Sequence, residues 1–167
     1  MASNKTAADP RVGLLLELID DAFDGKAWHG PNLRGILRGL SPEEAAMKPS
    51  GARYAIAEIA MHCAYWKYAA RRRLRGDARG SFPLKGSNWF ALPDDWDAAA
   101  WKSTTRLLDA EHATLREAIA GCTSRHLDIV PKGSKVTNRK LIYGMAAHDT
   151  YHAGQIRLIK AMSGRGG

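Results

Sequence analysis

The chain has 167 residues, of which 45% are hydrophobic and 25% are charged, and its net charge is +8. This length suits a single domain over residues 1–167, and no apolar run approaches the roughly 20 residues that a membrane span needs. Two cysteines, Cys63 and Cys122, are too few for a disulfide framework, so we expect a protein of the reducing cytoplasm. The positive charge is spread over both halves of the chain, without the basic arm that nucleic-acid binding often uses.

The first helix is predicted to begin at Pro10, with Asp9 as its cap, and to end near Gly25. A loop containing Trp28 and His29 follows, and then a weak helical pattern around residues 33–40. The segment Ser41-Pro42-Glu43-Glu44 has the form of a capping box and predicts a short turn of helix.

The second long helix is predicted over residues 54–75. His62 interrupts its apolar stripe, and Trp66 follows one turn later. Residues 76–93 contain several glycines and prolines and predict a long connection. Because this connection carries Trp89 and Phe90, we expect part of it to pack back onto the domain.

A third helix is predicted from residues 94–95 to about residue 121, and its apolar stripe includes His112. After a second connection over residues 123–135, Thr137 or Asn138 can cap the fourth helix. Four long amphipathic helices with long connections predict an all-α fold, a four-helix bundle.

The fourth helix carries two histidines, His148 and His152, which lie four residues apart and therefore on one face. The stripe predicted to face the core consists of Leu141, Met145, His148, His152, Gln155, Ile159 and Met162. A buried imidazole without a partner costs roughly 1–3 kcal/mol. A shared metal ion would satisfy both rings, and the alternative is a core network bonded to neighbouring side chains.

A third ligand is available on another helix. His62 lies at the middle of the second helix and can face the pair, whereas His112 is a rival nearer the edge of the core. Cys63 lies about 100° around the helix from His62 and is expected to be a buried structural thiol. Three neutral imidazoles suit a divalent transition metal, zinc or nickel first, and leave coordination positions open for a water or a thiol.

Basic residues cluster at the end of the second helix, at Arg71, Arg72, Arg73, Arg75 and Arg79. Such a cluster is typical of a solvated helix end, where cations favour the helix macrodipole. The alternative is a patch that binds phosphate or another anion.

Three short motifs, in order along essentially the whole chain, resemble the DinB/YfiT-like superfamily. They are Trp28-His29-Gly30-Pro31, Glu58-Ile59-Ala60-Met61-His62-Cys63-Ala64-Tyr65-Trp66 and His148-Asp149-Thr150-Tyr151-His152-Ala153-Gly154-Gln155-Ile156. The resemblance implies a four-helix bundle, commonly a homodimer, with a divalent metal held by His62, His148 and His152. Characterised members include transferases and isomerases that use a low-molecular-weight thiol such as bacillithiol, mycothiol or glutathione, and others are described as metal-dependent hydrolases. The resemblance does not imply DNA binding.

The leading hypothesis is therefore a metal-dependent enzyme, a thiol-dependent S-transferase or a hydrolase, that acts on a small electrophile. Trp66 is expected to line the substrate pocket, with Trp28 and His29 at its mouth. Gln155 is expected to orient a ligand or a bound water, and no catalytic residue is assigned. The alternatives are a non-catalytic metal-binding module that works through protein contacts in a stress response, and anion or nucleic-acid binding through the arginine cluster. We expect no membrane partner.

Overall fold

The computed structural model describes residues 9–164, so residues 1–8 and 165–167 of the predicted single domain lie outside the described range. Within residues 9–164 the chain forms seven α-helices and no β-strand, which confirms the all-α prediction. The helices are α1 (Pro10–Phe23), α2 (Leu33–Ile36), α3 (Pro42–Ala46), α4 (Ile56–Arg75), α5 (Ala98–Ala120), α6 (Ser124–Leu127) and α7 (Asn138–Met162). Among these described helices, none is both long enough and apolar enough to cross a membrane.

The four long helices each pack against two others: α4 against α5 and α7, and α1 against α7 and α5. The short helix α2 lies against α7, and α3 lies against α4 and α5. Buried side chains from these contacts form two apolar clusters that run through the described domain. Helices α4 and α7 are thereby held side by side, which matters because they carry the three histidines singled out in the sequence.

Local signals in the sequence define several helix ends. The Asp9 carboxylate accepts the Arg11 N–H at 2.8 Å, and the Thr137 hydroxyl accepts the Lys140 N–H at 3.3 Å. The predicted capping box forms between Ser41 and Glu44. These bonds satisfy amide groups that have no partner inside the helix, and they place the starts of α1, α3 and α7 as predicted.

Two predicted starts are wrong by a few residues. Helix α5 begins at Ala98 rather than at residues 94–95, because Asp97 is the residue whose carboxylate accepts the Ala100 N–H. Helix α4 begins at Ile56 rather than at residue 54. The Glu58 side chain accepts the Ala55 N–H at 2.7 Å and closes that helix start.

The connection between α4 and α5 packs onto the domain, as its aromatic residues predicted. Phe90 is buried, and Trp89 lies against one of the two apolar clusters. The Trp96 indole N–H donates to the carbonyl of Pro42 at 2.8 Å and fastens the far end of the connection to α3. The connection is therefore part of the wall of the domain.

The face of α7 that is buried differs from the predicted stripe. His152, Met145 and Ile159 are buried as expected, but Gln155 and His148 are only partly buried and Met162 is 47% exposed. The buried residues of α7 are Asn138, Ile142, Met145, Ala146, Asp149, His152, Ala153, Ile156 and Ile159. The stripe is rotated towards Asp149, a carboxylate that was not part of the predicted stripe and that a lysine on α4 neutralises.

His112 is buried in the core and stacks on Phe23, with ring centroids 3.7 Å apart. Its Nε2 lies 3.6 Å from the Asp20 carboxylate. Burial, aided by the nearby positive charges of Lys67 and Arg116 and opposed by Asp20, lowers the pKa of His112 to about 3. Between about pH 6.5 and pH 3 an unfolded histidine is therefore mostly protonated, whereas His112 in the folded protein is mostly neutral.

We expect the free energy of unfolding to decrease as the pH falls from about 6.5 towards 3, because in this window the unfolded chain binds a proton at His112 and the folded chain does not. His112→Gln should reduce the change in the free energy of unfolding by up to about 1.4 kcal/mol per pH unit. Urea unfolding at a series of pH values measures this change, with His126→Gln as the matched control. An unchanged slope in His112→Gln would contradict the expectation.

Candidate metal centre

Three histidines from two helices converge on one point. His62 lies on α4, and His148 and His152 lie one turn apart on α7. The Nε2 atom of His148 is 3.1 Å from the Nε2 atom of His62 and 3.1 Å from that of His152. We call these three residues the histidine cluster. The structure thus brings together the three residues that the sequence put forward as ligands.

Hydrogen bonds at the opposite ring nitrogens fix the tautomers of two of these histidines. Nδ1–H of His62 donates to the carbonyl of Asn88 at 2.7 Å, and Nδ1–H of His152 donates to Oε1 of Gln155 at 2.6 Å. The Gln155 amide is oriented in turn by its NH2 group, which donates to the Tyr151 hydroxyl at 3.2 Å. Each imidazole with a protonated Nδ1 presents a lone pair at Nε2, and these lone pairs point towards His148.

Burial keeps all three rings neutral. Desolvation, together with the neighbouring histidines, lowers the pKa of His148 to about 3 and that of His152 to about 4. Desolvation also lowers the pKa of His62, against the hydrogen bond to Asn88. Neutral imidazole is the form that binds metal ions. Near neutral pH the cluster therefore does not need to lose a proton before it can coordinate a metal ion.

The arrangement fits a divalent cation better than a self-contained hydrogen-bond network. A neutral His148 has one N–H at most, so it can donate to only one of the two lone pairs that face it. Its own Nδ1 is buried and has no hydrogen-bond partner among the described residues. At least one lone pair therefore stays unsatisfied without a cation, at a cost of about 1–3 kcal/mol. Two nitrogens bound at about 2.0–2.1 Å to one tetrahedral ion lie about 3.3 Å apart, close to the separations observed.

Aromatic rings enclose the histidine cluster. Trp89 stacks on the His62 ring at 3.8 Å, and Tyr54 stacks on the other side of Trp89 at 3.5 Å. Trp66 lies edge-on to His62 with centroids 6.3 Å apart, and its indole N–H donates to the Asn88 side chain at 2.8 Å. Trp66 is thus beside the cluster, where the sequence placed a pocket wall, while Tyr54, Trp89 and Asn88 were not recognised as neighbours of the site.

A fully buried ion pair lies beside the histidine cluster. The Lys67 ammonium on α4 donates to the carboxylate of Asp149 on α7, and both side chains are 0% exposed. Burial raises the pKa of Asp149, and the charge of Lys67 opposes that effect. Sequence reasoning missed this pair, because the predicted stripe of the last helix ran through His148 and left Asp149 outside it. Asp149 lies seven residues from both Ile142 and Ile156, and that helical spacing is the signal that could have placed it in the core.

Cys63 is buried close to this ion pair. Its thiol, a ring nitrogen of His148 and a carboxylate oxygen of Asp149 lie within 4.8 Å of one another, so they form a second possible donor group that shares His148. Burial and the Asp149 charge raise the pKa of Cys63 well above its usual range, which keeps the thiol protonated. Because Lys67 already neutralises the carboxylate, this group is less suited to a cation than the three imidazoles are.

Two residues expected at the pocket mouth lie elsewhere. Trp28 is 99% exposed, so it lines no pocket wall in this chain. His29 borders a different cavity of about 670 Å³ between α1 and α7, beside Tyr143 and Ala147. Tyr143 and Ala147 lie about 140° and about 100° around α7 from His148, because successive residues turn by about 100°, so this cavity is on a different face of the helix. His112, the rival ligand on the third long helix, instead stacks on Phe23 and lies beside Asp20 in the core.

The fold and the site define an all-helical protein with a buried three-histidine cluster that is compatible with metal binding. The family model of the DinB superfamily matches residues 27–156, most of the chain. The chain belongs to the DinB superfamily. Searches of curated proteins and of solved structures found no match.

Lys67→Met should lower the free energy of unfolding by about 3–5 kcal/mol, because it leaves the Asp149 carboxylate buried without a partner. The double variant Lys67→Met with Asp149→Leu should recover much of that loss, since it removes both charges. Urea unfolding of the two single variants and the double variant measures the coupling between the residues. Additive losses in the double variant would show that the pair is not coupled.

Proposed function

We propose that this DinB-superfamily protein is a metal-dependent enzyme that acts on a small electrophile, as a thiol-dependent S-transferase or as a hydrolase. The observation that supports it best is the convergence of three neutral Nε2 donors, two of them with fixed tautomers. His62, His148 and His152 would hold the ion, and zinc or nickel fits imidazole ligands of this kind. When bound, a divalent ion supplies Lewis acidity and makes a water or a thiol a better nucleophile near neutral pH.

The protein's own groups have distinct parts in this proposal. The carbonyl of Asn88 and the side chain of Gln155 hold the ligand rings of His62 and His152 in the correct tautomer. The rings of Trp89 and Trp66 exclude water from the side of His62, which strengthens the electrostatic interactions there. These contacts support a preorganised site for a small molecule.

The proposed nucleophile comes from outside the chain. Cys63 is fully buried, and burial raises the pKa of both Cys63 and Cys122, so neither presents a thiolate to a substrate. A thiol-dependent reaction would therefore use a low-molecular-weight thiol as co-substrate, and a hydrolytic reaction would use water. Both cysteines are free thiols, which supports a location in the reducing cytoplasm.

We extend the proposal to a homodimer. Large apolar side chains are exposed on the same side of the described domain, on α1 at Leu14 and Leu18 and on α7 at Tyr143. These residues surround the cavity between α1 and α7. An apolar surface of this kind supports contact with a second copy of the chain. The competing hypothesis, a non-catalytic metal-binding module, would use such a face for a different protein.

Protein purified without an affinity tag is expected to contain about one equivalent of a transition metal by elemental analysis, because the three imidazoles form one site. The triple variant His62→Ala, His148→Ala, His152→Ala should contain none. A matched variant at His29 and His126, which lie outside the cluster, should keep the metal. A wild-type protein that holds no metal and cannot be loaded with zinc or nickel would refute the proposal.

Gln155→Leu should weaken metal affinity by about 10- to 100-fold, since it removes the acceptor that orients the His152 ring. Gln155→Glu keeps an acceptor at the same place and should retain the wild-type affinity or exceed it. Competition with a chromophoric chelator measures both variants. Equal affinities in the wild type and Gln155→Leu would show that the amide has no part in holding the ligand.

A further inference from the structure

A cavity with a basic lining lies at the C-terminal end of α4, and none of its lining residues belongs to the histidine cluster. This cavity of about 560 Å³ is lined by basic residues from two separate parts of the chain, and we call it the basic groove. Its basic members are Arg72, Arg73, Arg79 and Lys132. Three of them lie at or after the end of α4, whereas Lys132 comes from the connection before α7.

The basic groove is short of negative charge. Asp77 is the one acidic side chain in the lining, so the four basic residues exceed it by three charges. Neighbouring arginines have acidic partners outside the groove: Arg71 lies 3.5 Å from Glu111, and Arg75 lies 4.0 Å from Glu117. Among the described residues, Arg73, Arg79 and Lys132 form no ion pair, and Arg73 instead lies over the Trp66 ring at 5.8 Å.

Arg72 gives an independent sign of a missing partner. Its Nη1 donates to the carbonyl of Asp77 at 3.4 Å, a long contact that follows the end of the helix. Its Nε is buried and has no hydrogen-bond partner in the described protein. A guanidinium with a buried, unpaired Nε and one long hydrogen bond is the kind of group that an anion with several oxygens satisfies.

Capping of the helix end explains only part of this arrangement. Basic residues in the last turn of α4 interact favourably with its macrodipole, and Gly76 ends the helix in the left-handed conformation at φ 71°. This does not explain why Lys132, more than 50 residues further along, turns to the same cavity. Like charges that converge in a partly enclosed space repel one another unless an anion neutralises them.

We propose that the basic groove binds a phosphate-bearing small molecule. Its volume lies within the range of about 300–1,000 Å³ that is usual for small-ligand sites. A neighbouring cavity of about 470 Å³ shares Arg73 and Lys132 and adds apolar wall from Leu74 and Ile129. The two together offer an anionic end and an adjoining space for the rest of the ligand. Paired concave cavities suit a compact ligand better than a nucleic-acid strand, which needs an extended basic track.

Pyrophosphate is the probe for this site, titrated into the purified full-length protein by calorimetry at low salt. Saturable binding of about one equivalent to the wild type is expected. Arg73→Gln with Lys132→Gln should weaken it by about tenfold or more, because it removes two charged donors from the groove. Arg106→Gln with Arg157→Gln removes the same charge from exposed helix positions outside the groove and should leave the affinity within about twofold of the wild type.

A further variant separates this site from the histidine cluster. His148→Ala should keep pyrophosphate binding, so this variant tests the groove independently of the metal centre. Loss of binding in His148→Ala would place the anion at the histidine cluster and overturn the proposal. Absence of saturable binding, or an equal loss in both double variants, would also overturn it. Tighter, competitive binding of a single-stranded oligonucleotide would overturn the assignment to a small ligand.

Discussion

The site depends on one buried ion pair, Lys67 with Asp149, which joins the two helices that carry the histidines. Neither charge can be left alone in the core, so α4 and α7 must meet at this point and in this register. Asp149 follows His148 directly, and Lys67 lies little more than one turn beyond His62 on α4. The pair therefore limits how far the histidine rings on α4 and α7 can move apart. Its role lies in this specificity of packing, since an apolar pair of the same size can be as stable.

A second constraint comes from the connection between α4 and α5. Asn88 has a left-handed backbone, φ 68°, which asparagine tolerates better than most residues. From this position its carbonyl accepts a hydrogen bond from His62 while its side-chain oxygen accepts one from Trp66. One loop residue thus holds both a candidate ligand and part of the aromatic wall. The loop and the helices together complete the site, and neither does so alone.

Much of the helical fold could be predicted, because helix starts depend on local signals such as Asp9, Ser41 and Thr137. The prediction of the three histidines as candidate ligands relied on their spacing along α7 and on the apolar stripe of α4, which are also local sequence patterns. The rest depends on contacts between distant residues. Asn88 and Trp89 approach His62 only through the path of an irregular loop, and Asp149 could be placed in the core only together with Lys67. The positions of Trp28 and His29 were not predicted correctly, because helical periodicity does not predict the path of a loop.

The separation of the histidines along the chain also bears on how the protein folds. His62 and His148 are 86 residues apart, so their meeting closes a very long loop. Closing a loop of this length costs more chain entropy than forming a contact between neighbouring residues. A partly folded or still growing chain has at most the His148–His152 pair or the lone His62. The complete three-nitrogen arrangement therefore exists only once α4 and α7 have packed together, so any ligand that needs all three nitrogens can bind only the folded chain.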